Sequence, residues 1–132
     1  MREITEIIIH CSATKEGHIF LAADIDRWHR AQGWSGIGYH YVIDLDGKIE
    51  VGRPEEQIGA HVKDHNAHSI GICYIGGLDC NGKPKDTRTP QQKQSLKELV
   101  VRLKAKYLKA TVHGHNEYAN KACPCFPVRM EF

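Results

Sequence analysis

The sequence holds nine histidines and five cysteines, and their densest grouping is His113-Gly-His115-Asn-Glu-Tyr-Ala-Asn-Lys-Ala-Cys123-Pro-Cys125. A strand ending here delivers imidazoles, and an excursion of seven residues from His115 returns with a thiol. Neutral imidazole and thiolate are ligands that a borderline-soft zinc ion accepts, at about 2.0–2.1 Å and about 2.3 Å. One nearby pair cannot close a site, so at least a third ligand must come from elsewhere. His10 ends a β-branched run and is the natural donor if that strand lies beside the one ending near His113. Three protein ligands leave the fourth tetrahedral position for water, as in a catalytic zinc site. Spacing alone does not establish this, because a histidine at a strand end is more often a hydrogen-bonded structural residue.

These residues need elements to hold them. Residues 4–10, Ile-Thr-Glu-Ile-Ile-Ile-His, read as a buried strand. Residues 22–32 place Ile25 and Trp28 at helical spacing, with Gly33 as a stop. Residues 39–44 predict a strand, and Asp46-Gly47 turns the chain into a partner strand at 48–52. Residues 69–75 predict another strand, closed by Gly76-Gly77, and residues 79–89 a polar surface loop. Thr89-Pro-Gln-Gln92 combines an N-cap, a first-turn proline and a capping-box glutamine. Leu96, Leu99, Val100, Leu103 and Tyr107 follow on one face, so 90–108 predicts a long helix. A short strand at about 110–114 leads into a tail of little periodicity. The fold class expected is α/β: a single domain over residues 1–132, with a central mixed β-sheet flanked by helices and a zinc cleft at the strand ends.

The bulk composition fits that reading. A chain of 132 residues has room for one core and none for a second. A net charge of +2, with Lys and Arg interleaved among Asp and Glu, gives no strong footprint for nucleic acid, so none is expected as a partner. No stretch is long and apolar enough to span a bilayer. The charged start Met-Arg-Glu-Ile-Thr-Glu is unlike a signal peptide, so synthesis in the cytoplasm is expected. An odd cysteine count without such a signal speaks against a disulfide framework; Cys11, Cys73 and Cys80 read as buried or incidental thiols.

Six segments in order carry a resemblance. They are Ile-Ile-Ile-His10-Cys-Ser-Ala-Thr14, Trp28-His-Arg-Ala-Gln-Gly-Trp34, Ile37-Gly-Tyr39-His-Tyr41, Gly59-Ala-His61-Val-Lys-Asp-His-Asn66, Ser69-Ile-Gly-Ile72 and Lys121-Ala-Cys123-Pro124. From about residue 5 to residue 126 the chain resembles the phage-lysozyme branch of the zinc-dependent N-acetylmuramoyl-L-alanine amidases, a family that includes the peptidoglycan recognition proteins. The resemblance implies zinc ligation by His10, His115 and Cys123, with His113 and Cys125 left outside. It implies Tyr39 and Lys121 as the catalytic residues beside the metal, and His61 and Asn66 as borders of the substrate groove. Trp28 and Trp34 read as core or groove-wall residues. The chain departs from the family at Asp64, where the loop commonly has Gly, and at Asn116, where related phage enzymes carry a second His.

The implied reaction is hydrolysis of the amide between the lactyl group of N-acetylmuramic acid and L-alanine in peptidoglycan. The implied setting is a phage or prophage lysis enzyme, a monomer that reaches the wall after release or export. Two rivals follow from the same residues. One is a binding module that keeps the groove without catalysis, against which retention of both His ligands and Cys123 argues. The other is a hydrolase using Cys11 or Cys123 as nucleophile.

Overall fold

The computed structural model describes residues 2–132. The run of isoleucines forms β1 (Glu6–Cys11), in which Ile7, Ile8 and Ile9 are all fully buried. A strand apolar on both faces belongs in the middle of a parallel sheet. β1 accordingly pairs in parallel with β5 (Ser69–Tyr74) on one side and β7 (Thr111–Gly114) on the other. β2 (Thr14–Lys15) and β6 (Gly77–Leu78) form a separate two-stranded sheet. β3 (Tyr41–Ile43) runs parallel to β5, and the turn at Asp46-Gly47 returns the chain antiparallel as β4 (Ile49–Val51). The main sheet is thus mixed, in the order β4-β3-β5-β1-β7.

Helices cover both faces. α1 (Ala22–Ala31) lays Ile25 against Val42, Cys73 and Ile75, with Trp28 packed at the margin. α2 (Pro90–Lys106) packs Leu96, Leu99, Val100 and Leu103 against Ile7, Ile9, Ile70, Ile72 and Tyr74. Its capping box forms as the sequence predicts: Gln92 N–H donates to Thr89 Oγ1 at 3.0 Å, and Thr89 N–H to Gln92 Oε1 at 2.9 Å. Gln92 is fully buried because its Nε2 also donates to the carbonyls of Ile43 and Ile75, tying the helix start to the sheet.

The expected elements are present with ends shifted by a residue or two. β1 starts later than expected and runs one residue past His10, and α2 stops at Lys106. The two-residue strands β2 and β6 are too short to carry a periodicity in the sequence. The aperiodic tail contains a 3-10 turn at His115–Glu117 and a one-turn helix, α3 (Val128–Glu131).

Candidate metal and catalytic site

Alternation along β1 sends Ile7, Ile9 and Cys11 toward α2 and leaves His10 on the other face. His10 is 1 % exposed. Because β7 lies beside β1, the turn following β7 brings His115 alongside: its Nδ1 stands 3.2 Å from His10 Nδ1. The tail returns Cys123 to the same place, with Sγ 4.0 Å from His10 Nδ1 and accepting the Cys11 N–H at 3.2 Å. The donor atoms of His10, His115 and Cys123 all lie within 4.8 Å of one another. Two anchors hold the returning tail. The buried Tyr74 hydroxyl donates to the Pro124 carbonyl at 2.6 Å, and Arg88 pairs with Glu131 while its guanidinium lies over the Phe126 ring.

The donor set fits a metal ion. Two imidazole nitrogens facing each other at 3.2 Å present lone pair to lone pair unless a proton or a cation lies between them. Two nitrogens sharing a tetrahedral zinc at about 2.0–2.1 Å would stand about 3.3 Å apart. Burial, followed by the charges of His61, His115 and Lys121, pushes the His10 imidazole well below its ordinary value. Burial and then Lys121 lower His115 as well. Both rings are therefore held in the neutral form that ligates. The neighbouring candidates are engaged elsewhere: His113 lies between Thr111 and Glu117, and Cys125 Sγ donates to the Gly77 carbonyl at 3.2 Å.

Tyr39, half-buried, sets its ring 5.0 Å from that of His10. Burial, with the Cys73, Cys123 and Cys11 thiols adding to it, raises its phenol well above the ordinary value. Lys121 is exposed beside the two imidazoles on which its charge acts. Trp34 sets its ring, tilted by 54°, 4.4 Å from that of His29. Cys11 is a poor nucleophile: its hydrogen bond with Cys123 and then burial push its thiol far above the usual range.

His61 and Asn66 sit where the chain bends back toward the sheet. Together with Trp34, Ala60, Val62 and Lys63 they line a shallow cavity of about 390 Å³. Asn66 Oδ1 accepts the backbone N–H groups of His61 and Val62 at 2.9 and 3.0 Å, which shapes the loop. Asp64 adopts φ +71°, the left-handed conformation a glycine would take, so the departure at this position keeps the turn. His61 also reaches inward, its Nδ1 2.8 Å from His10 Nε2. Sequence reading missed that contact; its traces are Gly59 and Gly71, the latter on the same face as His10, which leave room for a ring. A larger cavity, about 570 Å³, lies between α2 and Phe132, away from this cluster.

An α/β domain in which a central strand, the turn after its neighbour and the returning tail bring two imidazoles and a thiol together has the donor set of a three-ligand metal site. Comparison with known proteins identifies the family. The profile of the family described as "N-acetylmuramoyl-L-alanine amidase" matches residues 1–126. The endolysin of Escherichia phage T7 is 46% identical over 129 residues, covering 97% of this chain and 85% of that protein. The endolysin of Klebsiella phage KP32 is 42% identical, again over 97% of this chain and 85% of the relative. Among solved structures, the N-acetylmuramoyl-L-alanine amidase LysC from Clostridium intestinale superposes with a TM-score of 0.83 at 32% identity, covering 98% of this chain and 82% of that one. Drosophila PGRP-LB superposes with a TM-score of 0.78 at 26% identity, covering 94% and 76%. The chain belongs to the N-acetylmuramoyl-L-alanine amidase family, related to the peptidoglycan recognition proteins. It is a peptidoglycan-cleaving amide hydrolase of the endolysin type.

Proposed function

We propose that the whole chain, residues 1–132, is one amidase domain that works as a monomer with zinc held by His10, His115 and Cys123. The observation that carries the metal assignment is the convergence of these three donors, drawn from the two ends of the chain, with His10 buried and His115 and Cys123 half-buried. Bound there, zinc supplies Lewis acidity, polarising the scissile carbonyl and bringing the pKa of a water toward neutrality. The substrate is peptidoglycan or a muropeptide, cut between N-acetylmuramic acid and L-alanine. His61 and Asn66 border its groove, with Trp34 and Lys63 on the same wall.

Tyr39 and Lys121 are the catalytic residues in this reading. The Lys121 ammonium donates to the oxygen on which negative charge develops as the carbonyl is attacked. The Tyr39 hydroxyl holds a proton on the cleft's inner wall, where it can donate to the same oxygen or to the departing amine of L-alanine. His10 itself is buried, so bulk water does not reach that side of the centre. No described helix is long and apolar enough to cross a membrane. The protein is made in the cytoplasm and meets the wall after release or export.

Elemental analysis of purified protein, run beside turnover of cell-wall fragments, tests the reading. About one zinc per chain and amidase activity that is lost with chelation and restored with zinc are expected. Metal-free protein that cleaves peptidoglycan at full rate overturns the metal assignment.

A further inference from the structure

His61 is built into the fold more firmly than a groove-lining side chain requires. Its Nδ1 lies 2.8 Å from His10 Nε2, and its Nε2 lies 3.2 Å from Oγ of the fully buried Ser69. The ring occupies a slot cleared by two glycines. A Cβ at Gly71 would stand 2.8 Å from His61 Cδ2 and Cγ, and a Cβ at Gly59 would stand 2.8 Å from Cδ2. The β1–β5 register pairs Ile8 with Gly71 and His10 with Cys73, so the vacancy at Gly71 falls on the sheet face to which His10 points. Asn66 fixes the backbone on the other side by accepting the His61 and Val62 N–H groups. Strand register, two absent side chains and a clamped loop all serve one ring position.

We infer that His61 is a positioning residue for the ligand His10, the middle member of a Ser69–His61–His10 hydrogen-bond chain that fixes the tautomer and plane of the ligating ring. This rests on the proposed role of His10 in holding zinc. With His10 Nδ1 turned to the metal, its proton is on Nε2 and is donated to His61 Nδ1. That acceptor role forces the His61 proton onto Nε2, which donates to Ser69 Oγ. Each ring then has one defined tautomer, and His10 cannot rotate off the metal without leaving a buried N–H unpaired.

The test is zinc affinity, by competition with a chelating dye, and the visible spectrum of the cobalt-substituted protein. Three variants are compared with the unaltered chain: His61→Leu, His61→Asn and Ser69→Ala. Leucine fills most of the ring volume but accepts nothing; asparagine keeps an oxygen near the place of Nδ1. His61→Leu should weaken zinc about ten- to a hundredfold and shift the cobalt bands, and His61→Asn should recover most of both. Ser69→Ala should give a smaller loss. Side-chain ¹⁵N spectra of the unaltered zinc-loaded protein should show the Nε2–H tautomer for both His10 and His61, a reading that needs no variant to fold. Wild-type affinity and spectrum in His61→Leu, or an Nδ1–H tautomer at His61, overturns the inference alone. Failure of the unaltered protein to bind zinc or cobalt overturns the metal assignment and the inference with it.

Discussion

At the scale of single residues, the proposed function separates side chains that would hold the metal from those that would act on substrate. Cys123 Sγ faces His10 and accepts a backbone N–H, whereas Cys125, two positions on, donates to the Gly77 carbonyl. Cys123→Ala should therefore lower zinc content and activity together, and Cys125→Ala should lower neither. Lys121→Ala should keep its zinc and its fold while kcat falls on the order of a hundredfold, the usual loss for one oxyanion donor. Zinc content and kcat measured on the three variants check this. Zinc loss in Cys125→Ala with retention in Cys123→Ala would shift the site by two residues.

The elements around the site have their own sensitivities. The loop carrying Cys123 is anchored by the Tyr74 hydroxyl on the Pro124 carbonyl. Tyr74→Phe leaves that buried carbonyl without its partner and should cost about 1–3 kcal/mol in unfolding free energy, with weakened zinc binding, both read by denaturant titration. A phenylalanine variant as stable as the parent would show the anchor to be dispensable. At the hairpin of β3 and β4, Asp44 is 5 % exposed and its Oδ1 has no hydrogen-bond partner among the described residues. Burial and then the facing Glu50 carboxyl raise Asp44 to about 7. Its folded value thus lies above the unfolded value of about 3.9. The stability it contributes is complete below about pH 4 and is lost as the pH rises toward 7. Asp44→Asn should raise the melting temperature at pH 8 and leave it nearly unchanged at pH 4. Equal effects at both pH values would remove Asp44 as the source.

For the molecule as a whole, the three proposed ligands would let a metal tie the two ends of the chain together. His10 comes from the first strand, while His115 and Cys123 come from the turn and tail after the last. A ligand bound by the folded state alone stabilises it by mass action, about 4 kcal/mol when free zinc is a thousand times its Kd. Removing zinc with a chelator should therefore lower the melting temperature by several degrees, and zinc should restore it. All five cysteines are free. A reductant without chelating power should accordingly leave melting temperature and rate unchanged, and a large loss on reduction would reveal a disulfide the fold depends on.

Short-range order was legible in the sequence. The isoleucine run specified a strand buried on both faces, Thr89 to Gln92 specified a helix start, and Asp46-Gly47 specified a turn. Each depends on residues a few positions apart. The ordered motifs that resemble the amidase family also implied His10, His115 and Cys123 as one ligand set. Tertiary structure alone decided that His10 and His115, 105 positions apart, face each other across 3.2 Å. That contact follows from β1 lying between β5 and β7, and parallel pairing leaves no local mark because its hydrogen bonds join distant segments. The inward turn of His61 was hidden for the same reason: it depends on the register that sets Gly71 beside Ile8, and no spacing within either segment records which residues a sheet will bring face to face.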